Sequence, residues 1–256
     1  MHWRLLLSPP LDGPLNMAVD HALMERARES REAVLRVYEW ATPVLSLGRN
    51  QRARDVYDGA ELARREISVV RRPTGGRALL HHREITYSVT APVAAGEPLR
   101  ATYRRVNALL LDALASLGAA ASLASPASRS PSPTSLPCFA EPSAGEIVVD
   151  GRKLAGSAQW RDDGALLQHG SIIVEDDQST IPQLMRMSGD MPPPPATLRQ
   201  ALGRIPTSSE LAELLFDSVR RMEDSAATLL SSAEFDALRP DSWRSFYSDP
   251  AWTWRR

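Results

Sequence analysis

The stretch PCFAEPSAGEIVVDGRKLAGSAQ, residues 137–159, holds the only cysteine of the chain, Cys138, and its only lysine, Lys153; every other basic residue apart from histidine is arginine. A chain that meets its surface charge and ion pairing with guanidinium keeps a lysine where guanidinium fails. Arg is effectively never deprotonated and presents a broad planar fork, whereas Lys offers a compact ammonium that can give up a proton. A free thiol titrates near ~8.5, and an ammonium beside it favours the thiolate, which is the nucleophile. Such a Cys–Lys dyad suits acyl transfer through a thioester on the enzyme, with backbone N–H groups stabilising the oxyanion and no histidine required. The plainer alternatives are a small buried packing residue for Cys138 and a survivor of an Arg-rich coding bias for Lys153.

A second candidate is RRPTGGRALLHH, residues 71–82. Gly75 and Gly76 let the backbone approach a ligand and expose N–H donors, and Arg72 and Arg77 bracket them with charge suited to a phosphate or carboxylate. An ordinary Gly-Gly hairpin with solvated arginines would read the same, and the pattern is neither a P-loop nor a dinucleotide fingerprint. His81 and His82 are adjacent, so on a strand they point to opposite faces and cannot serve one centre. His169, in LLQHGSI, is the third histidine to consider; for all three a hydrogen-bonded core or rim position is the ordinary reading. No His/Asp/Glu spacing supports a metal site, and one cysteine makes neither an internal disulfide nor a Cys-rich zinc site. Neither metal nor cofactor is expected.

The elements that must position these residues follow from hydrophobic period. HWRLLL reads as a strand, and DGPLNMAVDHALMERARE as a helix with Asp12 or Gly13 as cap, Pro14 in its first turn, and Leu15, Ala18, Val19 and Ala22 on one face. AVLRVYEW, PVLSLG and ISVVRR are short strand-like runs, with GAELARRE as a short helix before the last. EITYSVTAPV alternates as a strand, and Leu99 to Leu117 places Tyr103, Val106, Leu110, Leu114 and Leu117 at helical spacing. SPASRSPSPTSLP, residues 125–137, reads as a loop rich in Ser and Pro that delivers the chain to Cys138. EIVV, a turn at Asp150-Gly151, RKLAGSAQWR, a turn at Asp163-Gly164 and ALLQHGSIIV then form an antiparallel meander in which Lys153 faces Val148. After MPPPP at 191–195, SSELAELLFDSVRRME is a further helix. Hairpins mixed with helices argue for an α+β layer fold, a mixed and largely antiparallel sheet flanked by helices. We expect residues 1–190 to form the catalytic core, and 191–256 a Pro-rich link and helical tail packed on the same domain.

With 256 residues, 43% of them hydrophobic, the chain can bury one substantial core. A formal net charge of -1 with scattered arginines gives no footprint for nucleic acid or an anionic membrane. No apolar run reaches the ~20 residues needed to span a bilayer, and the start has too short an apolar stretch for a secretory signal. A cytoplasmic monomer without nucleic-acid or membrane partners is expected.

Three separated stretches, PLNMAVDHAL, RRPTGGRALLHHREITYSV and VVDGRKLAGSAQWRDDGALLQHGSI, together resemble the lipoate-protein ligase and octanoyltransferase family, which shares its catalytic fold with biotin protein ligases. Within it, CFAEPS…EIVVDGRKLAGSAQ resembles the octanoyltransferase branch with a cysteine before the lysine-bearing hairpin. The resemblance implies octanoyl transfer from octanoyl-acyl carrier protein to a lysine of a lipoyl domain, in the glycine-cleavage H protein or a 2-oxoacid dehydrogenase. It implies that Cys138 takes the acyl group as a thioester and that Lys153 lowers its pKa. Arg72, Thr74, Gly75, Gly76, Arg77 and His81 match the loop lining the acyl and pantetheine or adenylate site. Gly156, Ser157, Ala158, His169 and Gly170 match the strands that close the pocket from the other side. Ligases of the family carry a third glycine where this chain has Arg77 and lack the cysteine; His82 stands where many members carry Asp. The other readings are an ATP-dependent lipoate ligase, a relay that moves octanoyl between lipoyl domains, and a non-catalytic protein that binds lipoyl domains.

Overall fold

The computed structural model describes residues 1–94, 96–125, 145–187 and 193–256. β1 (Trp3–Leu7) leads into α1 (Gly13–Ser30), capped by Asp12, whose side chain accepts from Leu15 N, with Pro14 where no amide donor is needed. β2 (Ala33–Tyr38), β3 (Val44–Leu47), α2 (Gly59–Arg64), β4 (Ser68–Arg71), β5 (Leu79–His81) and β6 (Glu84–Pro92) follow. Next come α3 (Leu99–Leu117), β7 (Ser122–Leu123), β8 (Ile147–Val149), β9 (Arg152–Asp162), β10 (Ala165–Ile173) and a 3-10 helix at Gln178–Leu184. The last quarter contributes α4 (Leu198–Leu202), α5 (Ser208–Met222), β11 (Thr228–Leu229), α6 (Ser232–Asp236), α7 (Asp241–Ser248) and α8 (Pro250–Thr253).

Eight strands form one sheet in the order β11-β1-β2-β6-β10-β9-β8-β7, antiparallel except where β1 runs parallel to β2 and β11. A smaller sheet, β4-β3-β5, stands apart from it. The fold is therefore α+β with a mostly antiparallel sheet flanked by helices. The lysine hairpin forms as the sequence predicts: Asp150 and Gly151 both have positive φ, and Val148 pairs with Lys153. The glycine loop between β4 and β5 is not a hairpin turn, because both strands pair with β3 and not with each other. Of the Ser/Pro-rich segment only Ser125 is described, and Cys138 lies outside the described residues.

β6 alternates as expected, but its polar set does not face water. Ile85, Tyr87, Val89 and Ala91 join the main core with Val106, Leu110 and Leu114 of α3 and Leu211 and Leu215 of α5. Glu84, Thr86, Ser88 and Thr90 are buried too, on the opposite face. That face lies under α1, since Ser88 donates to Asp20 of α1. α1 accordingly departs from the one-face reading: Asn16 to Met24 are all buried, while Leu15 is only half-buried. The outer side of α1 is covered by α7, where Trp243 stacks on His21 with ring centroids 3.4 Å apart and Tyr247 packs with Met17 and Ala18. A sheet whose two faces are both roofed can hold a polar layer away from solvent, and the residues suited to chemistry lie in it.

Candidate active site

The sheet register sets the site out in rows. Arg36 on β2 pairs with Ser88 on β6, Ser88 with His169 on β10, and His169 with Ala158 on β9. The neighbouring row reads Tyr38, Thr86, Ser171, Gly156. Asp20 of α1 sits over these rows. Its carboxylate accepts from Arg36 Nη1 at 2.8 Å, Ser88 Oγ at 2.8 Å, Tyr38 OH at 3.0 Å and His169 Nδ1 at 3.3 Å. Burial works to raise the Asp20 pKa, but the Arg36 guanidinium and the His169 contact outweigh it and hold it below the usual carboxylate value. Asp20 is therefore ionised. On the far side of the ring, His169 Nε2 meets Thr74 Oγ1 of the glycine loop at 2.6 Å.

A second buried carboxyl group has the opposite state. Burial pushes Glu84 up to about 8, against hydrogen bonds from Thr86, Ser171 and Trp40. His81 is driven well below its ordinary value by burial first, then by Arg72 and His169. Both shifts favour the uncharged forms, and the two side chains lie 3.0 Å apart. His81 Nδ1 faces Glu84 Oε1, with Ser171 Oγ 3.3 Å away, and His81 Nε2 lies 2.8 Å from Ser46 Oγ. Trp40 stacks on the His81 ring at 4.0 Å.

Arg72 shapes the glycine loop. Its Nη1 donates to Ser46 O and Oγ at 3.0 Å each, and its Nη2 to Gly75 O at 2.9 Å and Arg77 O at 2.7 Å. Gly76 adopts φ 95°, a conformation that favours glycine. The loop also abuts Gly48, where an added Cβ would lie 1.9 Å from Gly76 O. Across the cavity Gly170 plays the same part: a Cβ there would meet Gly156 O at 2.5 Å and Tyr87 Cε1 at 2.8 Å. Tyr87 OH and Ser157 Oγ are 2.6 Å apart.

Between the loop and β9–β10 lies a cavity of about 270 Å³. That is near the lower end of small-ligand pockets, roughly 300–1,000 Å³, and suits one short chain. Arg72, Gly76, Arg77, His81 and Lys153 line it, as do Gly156, Ser157, Ala158, His169 and Gly170. Gly75 receives an Arg72 bond, and Thr74 touches the cavity wall through His169. Buried His81 ends β5, and exposed His82 lies in the bend after it, off the strand. Lys153, 2% exposed, donates from Nζ to Glu146 Oε1 at 2.7 Å. Sequence reasoning missed Glu146, although it stands two residues before Val148, the cross-strand partner of Lys153. It also missed Asp20, and the apolar wall formed by Met17, Trp40 and Leu79. Among the described residues no group of three or more His, Cys, Asp or Glu is placed to hold a metal, and no helix is long and apolar enough to cross a membrane.

The fold is similar to that of solved lipoate protein ligase structures. It superposes with a TM-score of 0.75 on a putative lipoate protein ligase from T. acidophilum with bound lipoic acid, covering 99% of this chain and 100% of that one. At 20% identity this likeness is one of fold. In sequence, residues 12–220 match the Lipoyl protein ligase A/B catalytic domain. The Octanoyltransferase LipM of Kyrpidia tusciae is 42% identical over 196 residues, 73% of this chain and 72% of its own. That of Geobacillus kaustophilus is 31% identical over 273 aligned positions, 99% of this chain and 98% of its own. The chain belongs to the lipoyl protein ligase A/B catalytic domain family.

Two outcomes test this geometry. Gly48→Ala displaces the glycine loop, and a shift of about 1 Å in such a loop lowers turnover on the order of 10²-fold; steady-state rates with unchanged circular dichroism check it, and turnover within twofold of wild type contradicts it. Glu84 keeps a proton in the folded state, up to about 8, that the unfolded chain loses near its ordinary 4.5, so the fold loses stability as pH rises through that window. Glu84→Gln should flatten the dependence between pH 5 and 8, seen in denaturant midpoints; a slope equal to wild type contradicts the assignment.

Proposed function

We propose that this chain transfers an octanoyl group from octanoyl-acyl carrier protein to a specific lysine of a lipoyl domain, through a thioester on Cys138. The octanoyl transfer rests on the relatives named Octanoyltransferase LipM, one of which aligns over nearly the whole chain. The finer steps rest on the site. In the first, the Cys138 thiolate attacks the carrier thioester; the new C–S bond forms as the carrier's C–S bond breaks and its sulfur leaves as a thiolate. In the second, the amine of the acceptor lysine attacks the acyl-enzyme and releases the Cys138 thiolate. The protein needs no cofactor for either step, and it works in the cytoplasm as a monomer.

One observation supports Cys138 in particular. The described residues on either side of the segment that carries it are bonded to each other, Gly145 N donating to Ala124 O at 3.1 Å and Ala124 N to Glu146 O at 2.8 Å. Glu146 is itself in the cavity wall and bonded to Lys153. The described flanks of that segment therefore lie side by side, and the returning flank, at Glu146, stands in the cavity wall beside Lys153. The ammonium favours a thiolate close to it, and Glu146 fixes where that ammonium points. The cavity's apolar wall accepts the alkyl chain, and Gly76 and Gly170 bring backbone close to it. An ATP-dependent ligase is the second reading within the family, and Arg77 in place of a third glycine counts against it.

Incubation with octanoyl-acyl carrier protein should add one octanoyl mass to the intact protein, lost in Cys138→Ser and discharged on adding a lipoyl domain. A wild-type protein that takes no adduct, and that releases pyrophosphate with lipoate and ATP, would be a ligase instead.

A further inference from the structure

On the acyl-enzyme reading above, an amine that attacks a thioester must shed a proton, and a group in the cavity has to receive it. Among the described residues, three basic side chains with a titratable nitrogen line the cavity: Lys153, His81 and His169. Lys153 is engaged as a donor to Glu146. His81 is held well below its ordinary value by burial, Arg72 and His169, and its Nε2 is occupied by Ser46 Oγ at 2.8 Å. His169 is placed differently. Asp20 is ionised and can only accept, so His169 Nδ1 carries the hydrogen and Nε2 presents a lone pair. The ring is 7% exposed and lines the cavity. Thr74 Oγ1 occupies that lone pair at 2.6 Å, through a hydroxyl hydrogen that can rotate away as a nitrogen arrives.

We propose that His169 is the general base for the acceptor amine, with Asp20 as the positioning residue behind it. The neutral amine attacks the thioester carbonyl and a C–N bond forms. Its N–H proton passes to His169 Nε2. The C–S bond breaks with its electron pair going to sulfur, and the imidazolium, held against the Asp20 carboxylate, then returns its proton to the thiolate or to solvent. Arg36 and Tyr38 also face Asp20 from β2, and Arg72, His81 and Lys153 share the cavity. Arg36 compensates the Asp20 charge, and the carboxylate stays within hydrogen-bond reach of His169 Nδ1. This assigns the two histidines distinct work: His81 holds Ser46 and thereby Arg72 of the loop, and His169 moves the proton.

The two half-reactions separate this inference from the reading it rests on. Octanoyl adduct is formed on His169→Gln and His169→Gly from octanoyl-acyl carrier protein, the lipoyl domain is then added, and both rates are followed by intact mass. Discharge should fall about 10²- to 10⁴-fold, the usual contribution of a general base, while adduct formation falls far less. Added imidazoles should restore discharge of His169→Gly in order of their basicity, which a merely structural role would not require; if that variant does not fold, the split in His169→Gln decides. Equal losses in both half-reactions, or rescue that ignores basicity, overturn the base assignment. Variants that take and discharge the adduct like wild type also overturn it and leave the acyl-enzyme standing, whereas a wild type that takes no adduct removes both.

Discussion

A carboxylate with no exposure to solvent, Asp20, is the point on which the rest of the site depends. An isolated charge there would be untenable, and it is stable because Arg36, also fully buried, lies 2.8 Å away and three further donors complete its shell. Those donors come from β2, β6 and β10, so one side chain fixes α1 over the three central strands. Losing either partner of such a buried pair typically costs about 3–5 kcal/mol, because the other charge is left uncompensated. The same bonds orient His169, and through it Thr74 and the glycine loop. Fold and site are therefore joined at a single group.

The protein keeps two buried carboxyl groups in opposite protonation states a short way apart. Asp20 has a guanidinium and stays charged; Glu84 has only neutral donors and takes a proton. Each state suits the histidine in front of it, a charged acid behind His169 and a neutral one behind His81. Glycine sets the remaining dimension of the cavity. At Gly48, Gly76 and Gly170 the absent side chains let backbone from two sides come together around a narrow apolar slot.

Much of this was legible in the sequence, for reasons that differ by element. α3 and α5 follow helical spacing because each presents one stripe to the core, and the β8–β9–β10 meander follows from Asp150-Gly151 and Asp163-Gly164, whose turns need positive φ. The loop and strand residues of the cavity were found through the family motifs, and their rows follow from register once the strands are placed. What was hidden is what depends on burial from two sides. α1 reads as a helix with one apolar face because nothing in its own pattern announces α7, and nothing in that pattern singles out Asp20. Arg36 alternates among apolar residues of β2 and gives no local sign of its partner sixteen positions earlier. β5 and β11 are too short to show a period, and β11 is ordered by pairing with β1 at the opposite end of the chain.

The central claim is that the cavity between the glycine loop and β9–β10 holds the acyl chain while the chain's own thiol carries it. A crystal structure of the octanoylated protein tests this most directly. The account predicts the eight-carbon chain inside the cavity, its methylenes within about 4 Å of Met17 and Leu79 and of the backbone at Gly156 and Gly170. An acyl group attached elsewhere, or one that lies outside an unchanged cavity, would contradict it.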